Sequence, residues 1–376
     1  MSCVDSQSEM SSMRITVVHP TDLTQACYKN VHSFRETMHR HLNNAFGVEG
    51  NELNWTRDRN QQEIIVFPEL IGAWLVALNE KPFVFWIPSR LLAFIFIALS
   101  NMVSFVRFFI AEIWIYFSVM KRLSNVLNFE VWEGIVERSV FKLKSHVMFD
   151  VYVSIFSEIA RKRKAYVVAG SIYLPKIVFN ERWKRVTSEG LYNQSIVFDP
   201  RGNICHISIK QHPSEEEDMI VTNSKHEEAN TFHIEGFGKV AVLICNDSWY
   251  PSCYPETTQD VPSLIVIPSF SAPSTLWNNS WQGHQLNFPL PLDSDELNGH
   301  VNKTSLSQMW KEDGSGNRIY KLINWTMQDP THTHVVSCQA SGKIWEISFM
   351  GDSFIRNCDG VLLEKEGSFS YLIEQT

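Results

Sequence analysis

The sequence predicts an α/β sandwich built on a mixed sheet, and three observations point there. Short apolar strands alternate with amphipathic helical stretches over most of the chain. The turn sequences Asp199-Pro-Arg-Gly202 and Asn357-Cys-Asp-Gly360 join neighbouring strands as hairpins, so the sheet cannot be purely parallel. The chain has 376 residues, 44% apolar and 20% charged, which supports a large core and excludes a disordered protein.

Met13-Arg-Ile-Thr-Val-Val18 reads as a buried strand rich in β-branched residues. Residues 21–46 have helical spacing, with Val31, Phe34, Met38 and Leu42 on one stripe. Glu63–Phe67 is a short apolar strand stopped by Pro68. From 129 to 160, Trp132, Val136, Val140, Leu143, Val147, Val151, Ile155 and Ile159 recur every three or four positions, the pattern of a long amphipathic helix. Arg161-Lys-Arg-Lys164 closes it, where cations suit the negative end of the helix dipole. A solvated helix end and an anionic-lipid contact are both open for that run. Ala165–Tyr173, Ser195–Phe198, Ile204–Ile209, Val240–Ile244, Leu264–Ile267, Thr333–Gln339 and Ser353–Arg356 read as further strands. Residues 278–317 turn polar and read as a surface excursion.

Lys and Arg number 33 against 41 Asp and Glu, a net charge of −8 at pH 7, which argues against a nucleic-acid binder. Seven cysteines without CxxC spacing argue against a disulfide framework or zinc ribbon and for a reducing, cytoplasmic setting. Residues 1–12 are polar, expected to be disordered, and carry no apolar leader core. His284, His300, His332 and His334 match no metal-ligand spacing, and no Gly-rich phosphate loop occurs, so neither metal nor cofactor is expected.

Three positions share one grammar: an apolar strand ends and a reactive side chain follows. They are Glu69 after Ile64–Pro68, Lys210 after Ile204–Ile209 and Cys245 after Val240–Ile244. Groups at strand ends sit on the rim of a sheet, held rigidly yet open to ligand. Their chemistry is complementary. A carboxylate can take a thiol proton, a thiolate attacks a carbonyl or nitrile carbon, and an ammonium stabilises the oxyanion that forms. Taken singly, each has a plainer reading: a packed cysteine, a solvated Glu, a solvated Lys. Cys253, eight residues after Cys245, has two readings, a second thiol at the site mouth and, more plainly, a loop cysteine.

The sequence context of the three residues resembles the nitrilase, or carbon–nitrogen hydrolase, superfamily. Pro68-Glu69-Leu70 is similar to its first motif. Tyr192-Asn193 through Phe198-Asp199-Pro200, Gly202 and Lys210-Gln-His212 are similar to the second. Gly238-Lys-Val-Ala-Val-Leu-Ile-Cys245-Asn-Asp247-Ser-Trp-Tyr-Pro251 is similar to the third. Gly170-Ser171, Pro268-Ser269 and Gly351 through Gly360 follow as lesser landmarks. The resemblance implies a four-layer αββα sandwich, a single domain over 13–375, and a triad of Glu69 as general base, Lys210 as oxyanion stabiliser and Cys245 as nucleophile. It further implies a backbone oxyanion donor at Asn246 and a second glutamate among Glu215, Glu216 and Glu217, with Glu217 preferred. Asn246 departs from the Tyr, Glu or Trp common there, which bears on the substrate.

Residues 83–125 form an apolar helical insert within that domain. Phe83–Met120 holds eleven of the chain's aromatics and only three charges, Arg90, Arg107 and Glu112. Leu91–Val106 is sixteen uncharged residues, short of a full span. Glu69 precedes the insert while Lys210 and Cys245 follow it, so a single crossing would separate the three. A re-entrant or interfacial hairpin, a subunit interface or an apolar lid over the pocket is therefore expected, with an exposed apolar surface projecting from the sandwich. The implied function is a thiol hydrolase cleaving non-peptide carbon–nitrogen bonds of a small amide or nitrile through a covalent acyl-enzyme. It would be a homo-oligomer with membrane contact through 83–120. The alternatives are an amide-forming acyltransferase at a membrane and an inactive scaffold.

Overall fold

Period-two alternation divides each central strand between two cores. In Ser12–Val17, the side chains of Met13, Ile15 and Val17 face the same core as Ile64 and Val66 of Gln62–Val66, whereas Ile65 and Phe67 face the opposite one. The computed structural model describes residues 12–47, 61–120, 129–179, 184–214, 217–222, 230–249, 253, 262–271, 333–357 and 362–374.

The first sheet has seven strands. Along it run Phe369–Glu374, Ser12–Val17, Gln62–Val66, Tyr166–Val168, Tyr192–Phe198 and Ile172–Leu174, with Ile204–Ile209 also paired to Tyr192–Phe198. Ser12–Val17, Gln62–Val66 and Tyr166–Val168 are mutually parallel, and the remaining pairs are antiparallel. The second sheet has six strands, in the order Thr231–Ile234, Gly238–Val242, Leu264–Pro268, His334–Cys338, Phe354–Arg356 and Leu362–Glu364. Its three middle pairings comprise two parallel and one antiparallel. The sheets pack face to face through Ile15, Ile64, Val66, Val168, Val240, Val242, Leu264, Val266 and Val336, all fully buried. Helices α1 (Val31–Asn44) and α4 (Phe129–Arg163) cover the outer face of the first sheet, where Phe34, Met38, Tyr152, Phe156 and Ile159 meet Ile65, Phe67 and Phe198. This is the mixed α/β sandwich expected. The stretch 278–317 lies outside the described residues.

Several boundaries differ from the sequence reading for identifiable reasons. The helix expected over 21–46 begins only at Val31, because the Asn30 side chain caps it by accepting from Ser33 N at 2.9 Å. Upstream of that cap, Leu23–Thr24 pairs with Gly342–Ile344 and Gln25–Tyr28 makes a 3-10 turn. The strand expected over Ala165–Tyr173 breaks at Gly170 (φ +70°), where a Cβ would stand 2.0 Å from the Pro68 carbonyl oxygen. Ser12 belongs to the first strand rather than to a disordered tail, and residues 1–11 lie outside the described residues. The strands flanking the expected 357–360 turn pair antiparallel, while 358–360 are not among the described residues. The basic run is a mostly exposed helix end, and three of its members also pair within the protein. Arg161 donates to Ser157, Lys162 pairs with Glu158, and Arg163 pairs with Glu63 while lying over the Phe46 ring at 4.0 Å.

The insert forms α2 (Arg90–Ser100) and α3 (Met102–Met120), bent by 117° at Asn101; residues 121–125 are outside the described set. Among the described residues no single helix is long and apolar enough to cross a membrane. The insert does not simply project. Ala93, Phe94, Ile97 and Ala98 are buried in the main core, and Glu112 is buried between Arg138 (2.8 Å) and Lys142 of α4. Arg90 reaches Glu137 at 2.8 Å, where burial lifts the Glu137 carboxyl to about 7 against the pull of Arg90. The opposite face is exposed and apolar, as expected.

Candidate active site

Glu69 follows Gln62–Val66 on a loop whose backbone is held from below. Leu70 N donates to Ser171 Oγ at 2.9 Å, and Gly72 N donates to the Ser171 carbonyl at 3.0 Å. The Gly170-Ser171 pair therefore shapes the Glu69 loop. Leu70 is held at φ +57° and Cys245 at φ +46°, left-handed values that cost a non-glycine residue roughly 1–3 kcal/mol each and persist only where the surroundings enforce them. Both strained positions lie at or beside a candidate reactive group. Cys245 opens the 3-10 turn Cys245–Trp249, just past Gly238–Val242 in the second sheet. Lys210 ends Ile204–Ile209 in the first sheet, its N–H donating to the Asn193 carbonyl at 2.9 Å.

The side chains converge between the two sheets. Lys210 Nζ stands 2.8 Å from Glu69 Oε1 and 2.5 Å from Glu217 Oε2. Asn193 Nδ2 donates to both carboxylates, at 2.9 Å to Glu69 and 2.8 Å to Glu217. Tyr173 OH and Ser214 N also donate to Glu217, each at 3.0 Å. The Cys245 thiol lies 3.8 Å from the Phe270 carbonyl oxygen and close enough to Glu69 and Lys210 for both to act on its ionisation. Of the three candidate second glutamates, Glu217 is the one in this cluster; Glu215 and Glu216 lie outside the described residues.

Burial acts on every member, and the partners decide each direction. Glu69 is raised by burial and by the neighbouring Glu217, with Lys210 only partly offsetting them. Burial also opposes ionisation of Glu217, but Lys210 and the donors from Ser214 and Asn193 hold it below the usual carboxylate range. Burial disfavours the Lys210 ammonium, yet the two carboxylates hold it well above the ordinary lysine value. Burial, then Glu69, pushes the Cys245 thiol well up. Burial and neighbours thus favour the neutral thiol at Cys245 and the charged form of Lys210, and move Glu69 and Glu217 in opposite directions.

Asn246 and Asp247 tie the cysteine turn to the segment after the lysine. Asp247 is fully buried and accepts from Gln211 N at 3.0 Å and His212 N at 2.7 Å, with burial raising its carboxyl to about 7. Asn246 Nδ2 donates to the His212 carbonyl at 3.1 Å. Cys253 donates to the Gln211 side chain at 3.4 Å, which places it beside the segment that follows Lys210. His334 sits in a strand, and His284, His300 and His332 lie outside the described residues. Asn193, Tyr173 and Asp247 were assigned no role from sequence. The available signal was a polar or phenolic side chain inside a run that is otherwise buried.

An arc of rings connects the site to the insert. Phe270 meets Trp74 at 6.3 Å, Trp74 meets Trp345 at 5.9 Å, Trp345 meets Phe94 of α2 at 5.8 Å, Phe94 meets Phe141 at 5.4 Å, and Phe141 meets Tyr173 at 5.1 Å. Tyr173 then closes on Glu217. The aromatic half of this circuit begins and ends at the polar half.

No curated protein matches this chain in sequence. Among solved structures, it is similar to Nit3 of Saccharomyces cerevisiae, a member of branch 10 of the nitrilase superfamily, at 14% identity and TM-score 0.47, over 97% of this chain and 90% of that one. It is similar to a carbon–nitrogen hydrolase of Helicobacter pylori at 12% identity and TM-score 0.47, over 97% and 89%. It is also similar to an amidase from Nesterenkonia at 12% identity and TM-score 0.44, over 96% and 91%. Residues 58–286, which contain Glu69, Lys210, Glu217 and Cys245, match the carbon–nitrogen hydrolase family itself, and the chain belongs to that family.

Proposed function

We propose that the protein hydrolyses a small amide through a covalent thioester on Cys245. The observation that carries this reading is the Lys210 ammonium held between two buried carboxylates, 2.8 Å from Glu69 and 2.5 Å from Glu217, beside a half-buried thiol. In the first half-reaction Glu69 accepts the thiol proton and the thiolate attacks the amide carbon. Lys210 and the Asn246 backbone N–H stabilise the oxyanion. Collapse breaks the carbon–nitrogen bond, and Glu69 returns the proton to the departing amine. Water, deprotonated by Glu69, then cleaves the thioester to give the carboxylic acid and free thiol. A nitrile would enter through the same attack and leave a thioimidate instead.

Acyl transfer to an amine rather than to water is the second reading. The aromatic arc and the apolar insert favour it, because both suit a bulky apolar acyl donor. Intact-mass measurement after incubation with a panel of amides and nitriles tests the proposal. An adduct of acyl mass on the native chain, absent from Cys245→Ala, is the expected result. No adduct with any member, or an adduct that survives the substitution, overturns it.

A further inference from the structure

We infer that Tyr173 is a positioning residue of the site: its phenol fixes the Glu217 carboxylate and, through it, the place of the Lys210 ammonium. Glu69, Lys210 and Cys245 each lie within three residues of the end of a sheet strand. Glu217 does not. It sits on a turn, where its N–H donates to the Ser214 carbonyl at 2.9 Å. A flexible side chain on a turn is ordered only by what surrounds its carboxylate.

The donors reach that carboxylate from two directions. Lys210 Nζ and Ser214 N take Oε2, at 2.5 and 3.0 Å. Asn193 Nδ2 and Tyr173 OH take Oε1, at 2.8 and 3.0 Å. The second pair comes from the first sheet. Tyr173 and Asn193 stand directly opposite each other in the antiparallel pairing of Ile172–Leu174 with Tyr192–Phe198, so their side chains leave on one side and meet one oxygen. The sheet thereby holds a carboxylate that it does not itself carry.

The two side chains have different duties. Asn193 also donates to Glu69, so it serves both carboxylates. A phenol has one O–H to give, and Tyr173 gives it to Glu217. Burial keeps that phenol protonated, Glu217 and then Glu69 add to the effect, and Arg90 opposes them. The ring is fixed in the main core, edge-on to Phe141 of α4 at 5.1 Å, and Phe141 packs in turn on Phe94 of α2. An aromatic body held by two helices thus presents a polar tip to the carboxylate. Lys210 stands between Glu69 and Glu217, and the closer bond is to Glu217. Removing the phenol O–H loosens Glu217 and lets the lysine shift toward Glu69.

Tyr173→Phe tests this, because it keeps the ring contacts and removes only the hydroxyl; its circular dichroism should match the parent. The inference rests on the proposed reaction for its rate readout, and a thiol-labelling readout stands free of that reaction. With the best amide, kcat should fall roughly tenfold, the scale of one hydrogen bond to a charged group, while KM stays within about twofold. The acidic limb of the kcat/KM profile should move to lower pH, since a lysine released toward Glu69 favours its ionised form. In a Glu217→Gln background the same change should leave the limb in place and alter kcat by no more than about twofold. Equal losses in the two backgrounds, or a limb that Tyr173→Phe leaves unmoved, would make Tyr173 a packing residue and overturn the inference. Alkylation of Cys245 by iodoacetamide, followed against pH by peptide mass, reports the same cluster without turnover. Tyr173→Phe should displace that profile when Glu217 is present and not when it is Gln, and a profile unmoved in both overturns the inference. A parent that hydrolyses no amide, yet whose labelling responds in this way, overturns the proposed reaction and supports the positioning role.

Discussion

Two buried clusters in this molecule use the same residue types in opposite proportion. At the site between the sheets, two carboxylates, Glu69 and Glu217, share one lysine. Beneath the insert, one carboxylate, Glu112, is shared by Arg138 and Lys142. Burial pushes every one of these carboxyls up. Under the insert two cations overcome it and Glu112 is held low. At the site the single lysine is committed most closely to Glu217, and Glu69 is left high. The count of partners, more than depth, separates a carboxyl held low from one left high, the state that suits the proton-accepting role proposed for Glu69.

The largest break of that contrast is at the thiol. Cys245→Ser should lower kcat by about 10⁴-fold or more, since a hydroxyl is a poor nucleophile beside a carboxylate base. Steady-state turnover of the best amide, with circular dichroism as a folding control, checks this. Glu69→Gln should follow with a loss of roughly 10²–10⁴-fold in kcat, the scale of a general base, and little change in stability.

Glu112→Gln should do the reverse. Leaving two buried cations without their anion should cost about 3–5 kcal/mol of unfolding free energy in urea titrations, with kcat/KM unchanged. Because Glu112 is held low in the folded state, its contribution is present above the ordinary carboxylate value and lost as pH falls through the folded one. The parent should therefore lose stability on acidification more steeply than the variant. Glu217→Gln sharpens the contrast at the site. It removes the anion that raises Glu69 and frees Lys210 to favour its ionised form, so the acidic limb of the kcat/KM profile should move to lower pH. A limb that stays in place would remove Glu69 as its source. Cys253→Ser, which loses one weak contact to Gln211, should change kcat/KM by no more than about twofold.

The candidate trio was legible because each member lies within three residues of the end of an apolar strand, a position readable from one stretch of chain. Glu217 was less so: three consecutive glutamates look alike until the turn after Ser214 aims one of them at Lys210. Asn193 was quoted within a motif but assigned no role, since its pairing with two carboxylates depends on strands more than a hundred residues apart. The insert was legible as composition and not as shape. An uncharged run says nothing of the bend at Asn101, nor that Glu112 faces inward to cations on α4. The sheet order and the break at Gly170 likewise rest on long-range packing. That glycine yields to the Pro68 carbonyl, an encounter absent from any local window.

The first strand, Ser12–Val17, pairs on one side with Gln62–Val66 and on the other with Phe369–Glu374. During synthesis the ribosome delivers these neighbours at opposite ends of the schedule. Glu69 and Lys210 emerge first and Cys245 later, while one edge of the strand waits unpaired until residues 369–374 are out. An open edge of that kind invites pairing with other nascent chains. A message cut short after the cysteine would thus yield a polypeptide carrying Glu69, Lys210 and Cys245 but lacking the strand that pairs with the outer edge of Ser12–Val17. Quality control would meet it as an aggregation-prone fragment, and its thiol would have no assembled pocket in which to act.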